Sequence, residues 1–138
     1  MSLRSSGLEG TTLLDAQEKV SALIRRTLKD ERGRWILKKR PCADSELVLD
    51  TMADEGIVSR VVDRTFVDDD TGIRWVVDYK TSQPMAGESM EQFLKRELTH
   101  YRDQVMHYVE LLAQWDTSAV EVRGGLYFPA HSIWQPLT

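Results

Sequence analysis

Two acids and a lysine carry the strongest chemical signal in this sequence. Asp78 and Lys80 stand two apart at the end of the apolar run Val76-Val77-Asp78-Tyr79-Lys80-Thr81, and Asp63 belongs to a second apolar run, Val61-Val62-Asp63-Arg64. A strand alternates faces with period 2, so Asp78 and Lys80 point the same way, and an acid from a neighbouring strand can join them. Two carboxylates and an ammonium converging on one point suit a divalent metal and a phosphodiester. Facing carboxylates repel, and burying them is costly unless a cation sits between them. Mg²⁺ prefers oxygen ligands and keeps several waters, and such a metal acidifies water and stabilises charge on phosphate. Lys80 can then orient the attacking water or stabilise the developing charge. An isolated D-x-K pair is more often the solvated end of a hairpin with a salt bridge, so the strand register decides.

Ile57 to Asp68 and Ile73 to Thr81 read as strands, and Asp69-Asp70-Thr71-Gly72 between them suits a four-residue hairpin loop. If Asp68 pairs with Ile73, Asp63 falls opposite Asp78 and Phe66 opposite Trp75 on the other face, a favourable aromatic pair. A slip of one residue would separate the two acids. The loop length therefore predicts one face carrying Asp63, Asp78 and Lys80.

The remaining elements must frame that hairpin. Leu13, Ala16, Val20, Leu23, Ile24 and Leu28 form a stripe at helical spacing over roughly 13–29, read as a plain packing helix capped by Thr11 or Thr12. Trp35-Ile36-Leu37 and Glu46-Leu47-Val48-Leu49 are short strand candidates on either side of Pro41, and Asp54-Glu55-Gly56 is a turn. Gln83 to Gly87 breaks the chain before a long helix over roughly 89–115, striped by Leu94, Leu98, Tyr101, Val105, Tyr108, Leu112 and Trp115. Val120 to Phe128 is a last strand, ended by Pro129. The order predicts an α+β or mixed α/β fold with one central sheet.

The chain has 138 residues, 41% hydrophobic and 29% charged, which fits one domain with a real core. No apolar run is long enough to cross a bilayer, and no signal-peptide pattern opens the sequence as written. The single cysteine, Cys42, forms no internal disulfide, which points to a reducing cytoplasmic compartment. With only His100, His107 and His131 beside it, a closed Cys/His zinc site is excluded. The net charge of −4 excludes a domain that holds DNA by charge alone. Met1 to Gly7 reads as a vector-derived lead-in, so residues 1–10 are expected to precede a domain cut from a longer protein.

On the long helix, Tyr101, Gln104 and Tyr108 lie along one edge. Both tyrosines fit core packing. Gln104, if buried, needs a partner, which a phosphate or a catalytic carboxylate would supply. Asp68-Asp69-Asp70 reads as a solvated turn, Lys38-Lys39-Arg40 as a solvated loop that could also touch a DNA backbone, and Trp35 and Trp134 as packing residues.

Taken in order, Ser59-Arg60-Val61-Val62-Asp63-Arg64, Trp75-Val76-Val77-Asp78-Tyr79-Lys80-Thr81-Ser82, Tyr101-Arg102-Asp103-Gln104 through Tyr108, and Leu126-Tyr127-Phe128-Pro129 resemble the RecB-like nucleases of the PD-(D/E)XK superfamily. The likeness is to the nuclease domain at the C-terminal end of UvrD-type helicase subunits in AddAB and exonuclease V complexes, and it covers roughly 46–134. It implies a restriction-endonuclease-like fold, with helices flanking a central sheet, and a metal-dependent deoxyribonuclease acting in DNA end processing and recombinational repair. It implies Asp63 and Asp78 as ligands of Mg²⁺ or Mn²⁺, the Tyr79 backbone carbonyl as a further ligand, and Lys80 as the catalytic lysine. Gln104 and Tyr108, part of the Q-x-x-x-Y motif, with Tyr101 near them, would position DNA or the active-site residues. The implied partners are single-stranded DNA delivered by a helicase motor and a second helicase-nuclease subunit. Glu46 matches a weaker acidic position and is not taken as a ligand. The family's histidine on an early helix has no counterpart, since no histidine precedes His100. The alternative is a non-catalytic domain of the same fold that binds DNA or a partner subunit.

Overall fold

A computed structural model describes residues 11–137. The expected lead-in over 1–10 lies outside the described residues, as do the side chains of the expected cap, Thr11 or Thr12. Among the described residues five strands form one mixed sheet in the order β1-β2-β3-β4-β5, with three helices, so the fold is α+β. No described helix is long and apolar enough to cross a membrane.

Helix α1 (Thr11–Lys29) carries the expected stripe, but not as a packed face: Leu14, Val20, Ile24 and Leu28 stay about half exposed. Its packing is concentrated in the last turns, against α2 (Glu31–Leu37). There Gly33 lies so close that a β-carbon would stand 2.1 Å from the Thr27 carbonyl oxygen. The segment Trp35-Ile36-Leu37, expected as a strand, is the end of α2. Asp30 caps this helix by accepting from Gly33 N at 3.2 Å, and Glu31 occupies its first turn. Three adjacent apolar residues carry no period, so the capping signal wins.

β1 (Asp44–Ala53) and β2 (Gly56–Val67) form a long antiparallel hairpin, closed by Gly56 at φ 114°. The ladder skips one facing pair, Glu46 and Asp63, and Glu46 takes a left-handed φ of 54°. The strand rolls over at that point. Val62 packs with Tyr108, Val109 and Leu112, whereas Phe66 packs on the other side with Ile36, Val77 and Tyr127. In a regular strand residues four apart share a face, so the skipped pair is what separates them. Arg64 clamps the roll: its buried guanidinium donates to Ile36 O, Ser45 Oγ and Lys38 O at 3.0–3.1 Å.

β3 (Ile73–Tyr79) pairs with β2 in the register that the loop predicts, from Arg64↔Val77 to Val67↔Arg74, with Phe66 opposite Trp75. Asp68 N donates to Ile73 O at 2.8 Å, and Gly72 turns the loop at φ 73°. The loop is not merely solvated. Asp68 accepts from Trp35 Nε1 at 3.1 Å and Thr71 Oγ1 at 2.8 Å, and Asp69 pairs with Lys38 at 3.0 Å and Arg40 at 3.6 Å. Two of the three basic residues in the 38–40 loop are therefore engaged within the protein.

Helix α3 (Met90–Trp115) starts at a capping box between Ser89 and Gln92 and crosses one face of the sheet, so that β4 (Glu121–Phe128) returns parallel to β3. A fifth strand, β5 (Ile133–Leu137), was not expected. It is short and contains Pro136, which an edge strand tolerates. Trp134 lies flat on β4, where a β-carbon on Gly125 would meet its ring at 2.3 Å. Trp35, Trp75 and Trp134 make mutual edge contacts at 5.4–5.6 Å on the face opposite α3, as packing residues.

Candidate active site

The interior of β2 and the end of β3 bring the expected residues together, though not by simple continuation of the ladder. Its last pair is Arg64↔Val77. Beyond it the Asp63 side chain takes the place of a backbone acceptor, and its Oδ2 receives Tyr79 N–H at 2.9 Å. One carboxylate oxygen is thus fixed, and with it the position of the whole group.

Asp78 extends from β3 towards α3, on the face that carries Val76, and is only 6% exposed. Its carboxyl meets that of Asp63. Lys80 Nζ stands 2.9 Å from Asp78 Oδ2, so this buried oxygen has an ionic contact, though no hydrogen bond of good geometry among the described residues. Lys80 is anchored by its own N–H, which donates to Tyr127 O at 2.9 Å, and its ammonium lies 3.4 Å from the Tyr101 ring centroid. Tyr79 turns to the opposite face, where burial pushes its phenol up to about 12; the Asp63 charge adds to the rise and Arg64 opposes it.

Burial, and next the Asp63 carboxyl, push Asp78 from an ordinary 3.8 up to about 6, although Lys80 pulls the other way. The pair thus holds a proton well above the usual carboxylate range. Because the folded value is raised, the stabilisation is fully present below about pH 4 and is lost as pH rises through about 6. Thermal melts in EDTA should therefore show stability from this group falling between pH 4 and pH 7. Asp78→Asn should flatten that slope, and an unchanged slope in the variant would place its origin elsewhere.

Gln104 is exposed, not buried as considered from the sequence, and its amide donates to the buried Tyr108 hydroxyl at 3.0 Å. Tyr101 is half-buried and touches His100 as well as Lys80. His100 and His107 are exposed, and so is Glu46, across the β1–β2 ladder from Asp63. Sequence reasoning passed over Glu97, a buried carboxylate in the packed face of α3. Its signal was present: an acid one turn from Phe93 on one side and from Tyr101 on the other.

Among the described residues no group of three or more His, Cys, Asp and Glu is placed to hold a metal. The available donors are the two carboxylates. That set fits Mg²⁺ or Mn²⁺, which are commonly bound through one or two carboxylates, with water and phosphate completing the shell. Burial and the facing Asp63 carboxyl keep Asp78 raised even with Lys80 beside it, a cost that a second cation would relieve. No family model matches this chain, and no curated protein matches it.

Proposed function

We propose that this chain is the metal-dependent nuclease domain of a helicase-nuclease, hydrolysing phosphodiester bonds of DNA. The observation that carries the reading is the meeting of Asp63, from the interior of β2, with Asp78 and Lys80 at the end of β3, with Asp78 raised to about 6. A buried acid facing a second, half-buried one beside a lysine is expensive as structure and useful as a cation site. Asp63 and Asp78 would hold Mg²⁺ or Mn²⁺, with the Tyr79 carbonyl as a further ligand, and the bound cation would supply Lewis acidity towards the phosphodiester. The protein's own groups do the rest. Tyr79 N–H orients Asp63. Lys80, held between Asp78 and the Tyr101 ring, would stabilise charge developing on the phosphate or orient water. Gln104 and Tyr108, bonded to each other, would present an amide and a phenol to DNA or to the site.

Three antiparallel strands, a long helix and a parallel fourth strand, with helices on both faces, support the finer reading of a restriction-endonuclease-like fold. The net charge of −4 favours delivery of single-stranded DNA by a motor over independent capture. The test is release of labelled nucleotides from single- and double-stranded DNA. Hydrolysis is expected with Mg²⁺ or Mn²⁺ and none in EDTA. Cation binding without hydrolysis, in a protein extended at its N-terminus, would favour a non-catalytic domain instead.

A further inference from the structure

Glu97 sits in the middle of the face that α3 lays on the sheet, one turn after Phe93 and one turn before Tyr101. It is 2% exposed, and its Oε1 has no hydrogen-bond partner among the described residues. A carboxylate buried in this way is costly until a cation meets it. The adjacent Arg96 does not fill that role. Its guanidinium is held by both oxygens of Glu88 at 2.9 Å, and its Nη1 stays 3.9 Å from Glu97. Another cation reaches this face of α3. Lys80 Nζ stands 3.4 Å over Tyr101, the next residue along the same stripe. Long helical side chains lean towards the helix N-terminus, so the Tyr101 ring covers the turn that carries Glu97.

We propose that Glu97 is the second acceptor for Lys80, a positioning residue that takes the ammonium when a divalent cation occupies Asp78. The proposal rests on reading Asp63 and Asp78 as the cation's ligands. Lys80 and such a cation compete for one oxygen, Asp78 Oδ2, and like charges repel strongly at that separation in a buried site. The displaced ammonium keeps contact with the π face of Tyr101 as it moves, and the Glu97 carboxylate, whose Oε1 lacks a hydrogen bond among the described residues, belongs to the same packed stripe of α3 one turn before that ring. Glu97 thereby holds the lysine beside the reacting phosphate and makes cation entry easier.

The test is Glu97→Gln, equal in size and uncharged, followed by Mg²⁺ calorimetry and by the side-chain NMR resonances of Lys80. In the wild-type protein Mg²⁺ should shift the Lys80 resonances as the ammonium moves over the ring. In Glu97→Gln that shift should shrink and Mg²⁺ should bind about tenfold more weakly, within the usual range of coupling between sites. In a Lys80→Met background the same substitution should leave Mg²⁺ affinity unchanged; a penalty that persists there would mean a purely structural role and overturn the proposal. Wild-type affinity and shift in Glu97→Gln would overturn it too, while leaving the cation site standing. If the wild-type protein binds Mg²⁺ no better than Asp78→Ala, both readings fall. Should Glu97→Gln fail to fold, Glu97→Asp, which keeps the charge but withdraws it by one methylene, should give an intermediate loss, and wild-type affinity in it would refute the proposal.

Discussion

Asp78→Ala is expected to abolish cation-dependent DNA hydrolysis and, in EDTA at neutral pH, to raise the melting temperature. The two effects share one cause. Asp78 is raised by about two pKa units, from 3.8 to about 6, which corresponds to about 3 kcal/mol of lost stability once the group ionises. Truncation removes that penalty and the repulsion of Asp63. It leaves a small cavity and an unpaired Lys80, whose side chain is still 14% exposed and can reach water. A net gain of about 1 kcal/mol, or about 3 °C for a domain of this size, is the expected balance. The same change removes one of two carboxylates from the proposed cation site. Several kcal/mol of transition-state stabilisation go with it, or about 10³-fold or more in rate. Mn²⁺ should raise the melting temperature of the wild-type protein and leave that of the variant unmoved. Equal nuclease activity in the two proteins would refute the assignment. A variant both inactive and less stable would mean that Asp78 is structural.

The contrast between the β2–β3 hairpin and its surroundings shows which parts of this fold a sequence can carry. The four-residue loop ends in Gly72, and that geometry allows one register, so Phe66↔Trp75 was legible from spacing alone. Helix α3 was legible for a similar reason: a stripe sustained over many turns averages out local exceptions. What spacing could not give was the behaviour of Asp63. Period-2 reasoning assumes that the strand continues, whereas the ladder stops at Arg64 and the Asp63 side chain bonds to Tyr79 N instead. The roll coincides with a left-handed backbone at Glu46, a residue type that gives no hint of it. Periodicity likewise identified which residues of α1 share a face without saying whether anything covers them. For α2 the apolar run was too short to have a period, and for β5 Pro136 argued against a strand that its edge position permits. The candidate site was therefore visible as three residue types at the right spacing. Its electrostatics, and the buried Glu97 on α3, came only from packing.

Lys80→Met should separate catalysis from cation binding. The thioether fills much of the lysine's volume and keeps contact with the Tyr101 ring, so the fold should survive. Hydrolysis should fall by about 10²- to 10³-fold, the usual loss on removing a group that stabilises developing charge. Cation affinity at neutral pH should not fall and should rise somewhat, because the ammonium no longer competes for Asp78 Oδ2. Asp78 should also titrate higher in the variant, since Lys80 is the group that pulls it down against burial and Asp63. Binding measured by calorimetry should consequently begin at a higher pH than in the wild-type protein and end tighter. Lys80→Arg is not expected to restore the rate. A planar guanidinium cannot take the place of a compact ammonium 2.9 Å from Asp78 and 3.4 Å over the ring without moving one of them. A Lys80→Met protein with full activity would remove the lysine from the mechanism. One that loses cation affinity in proportion to its rate would make Lys80 a support of the metal site, with no part of its own in the chemistry.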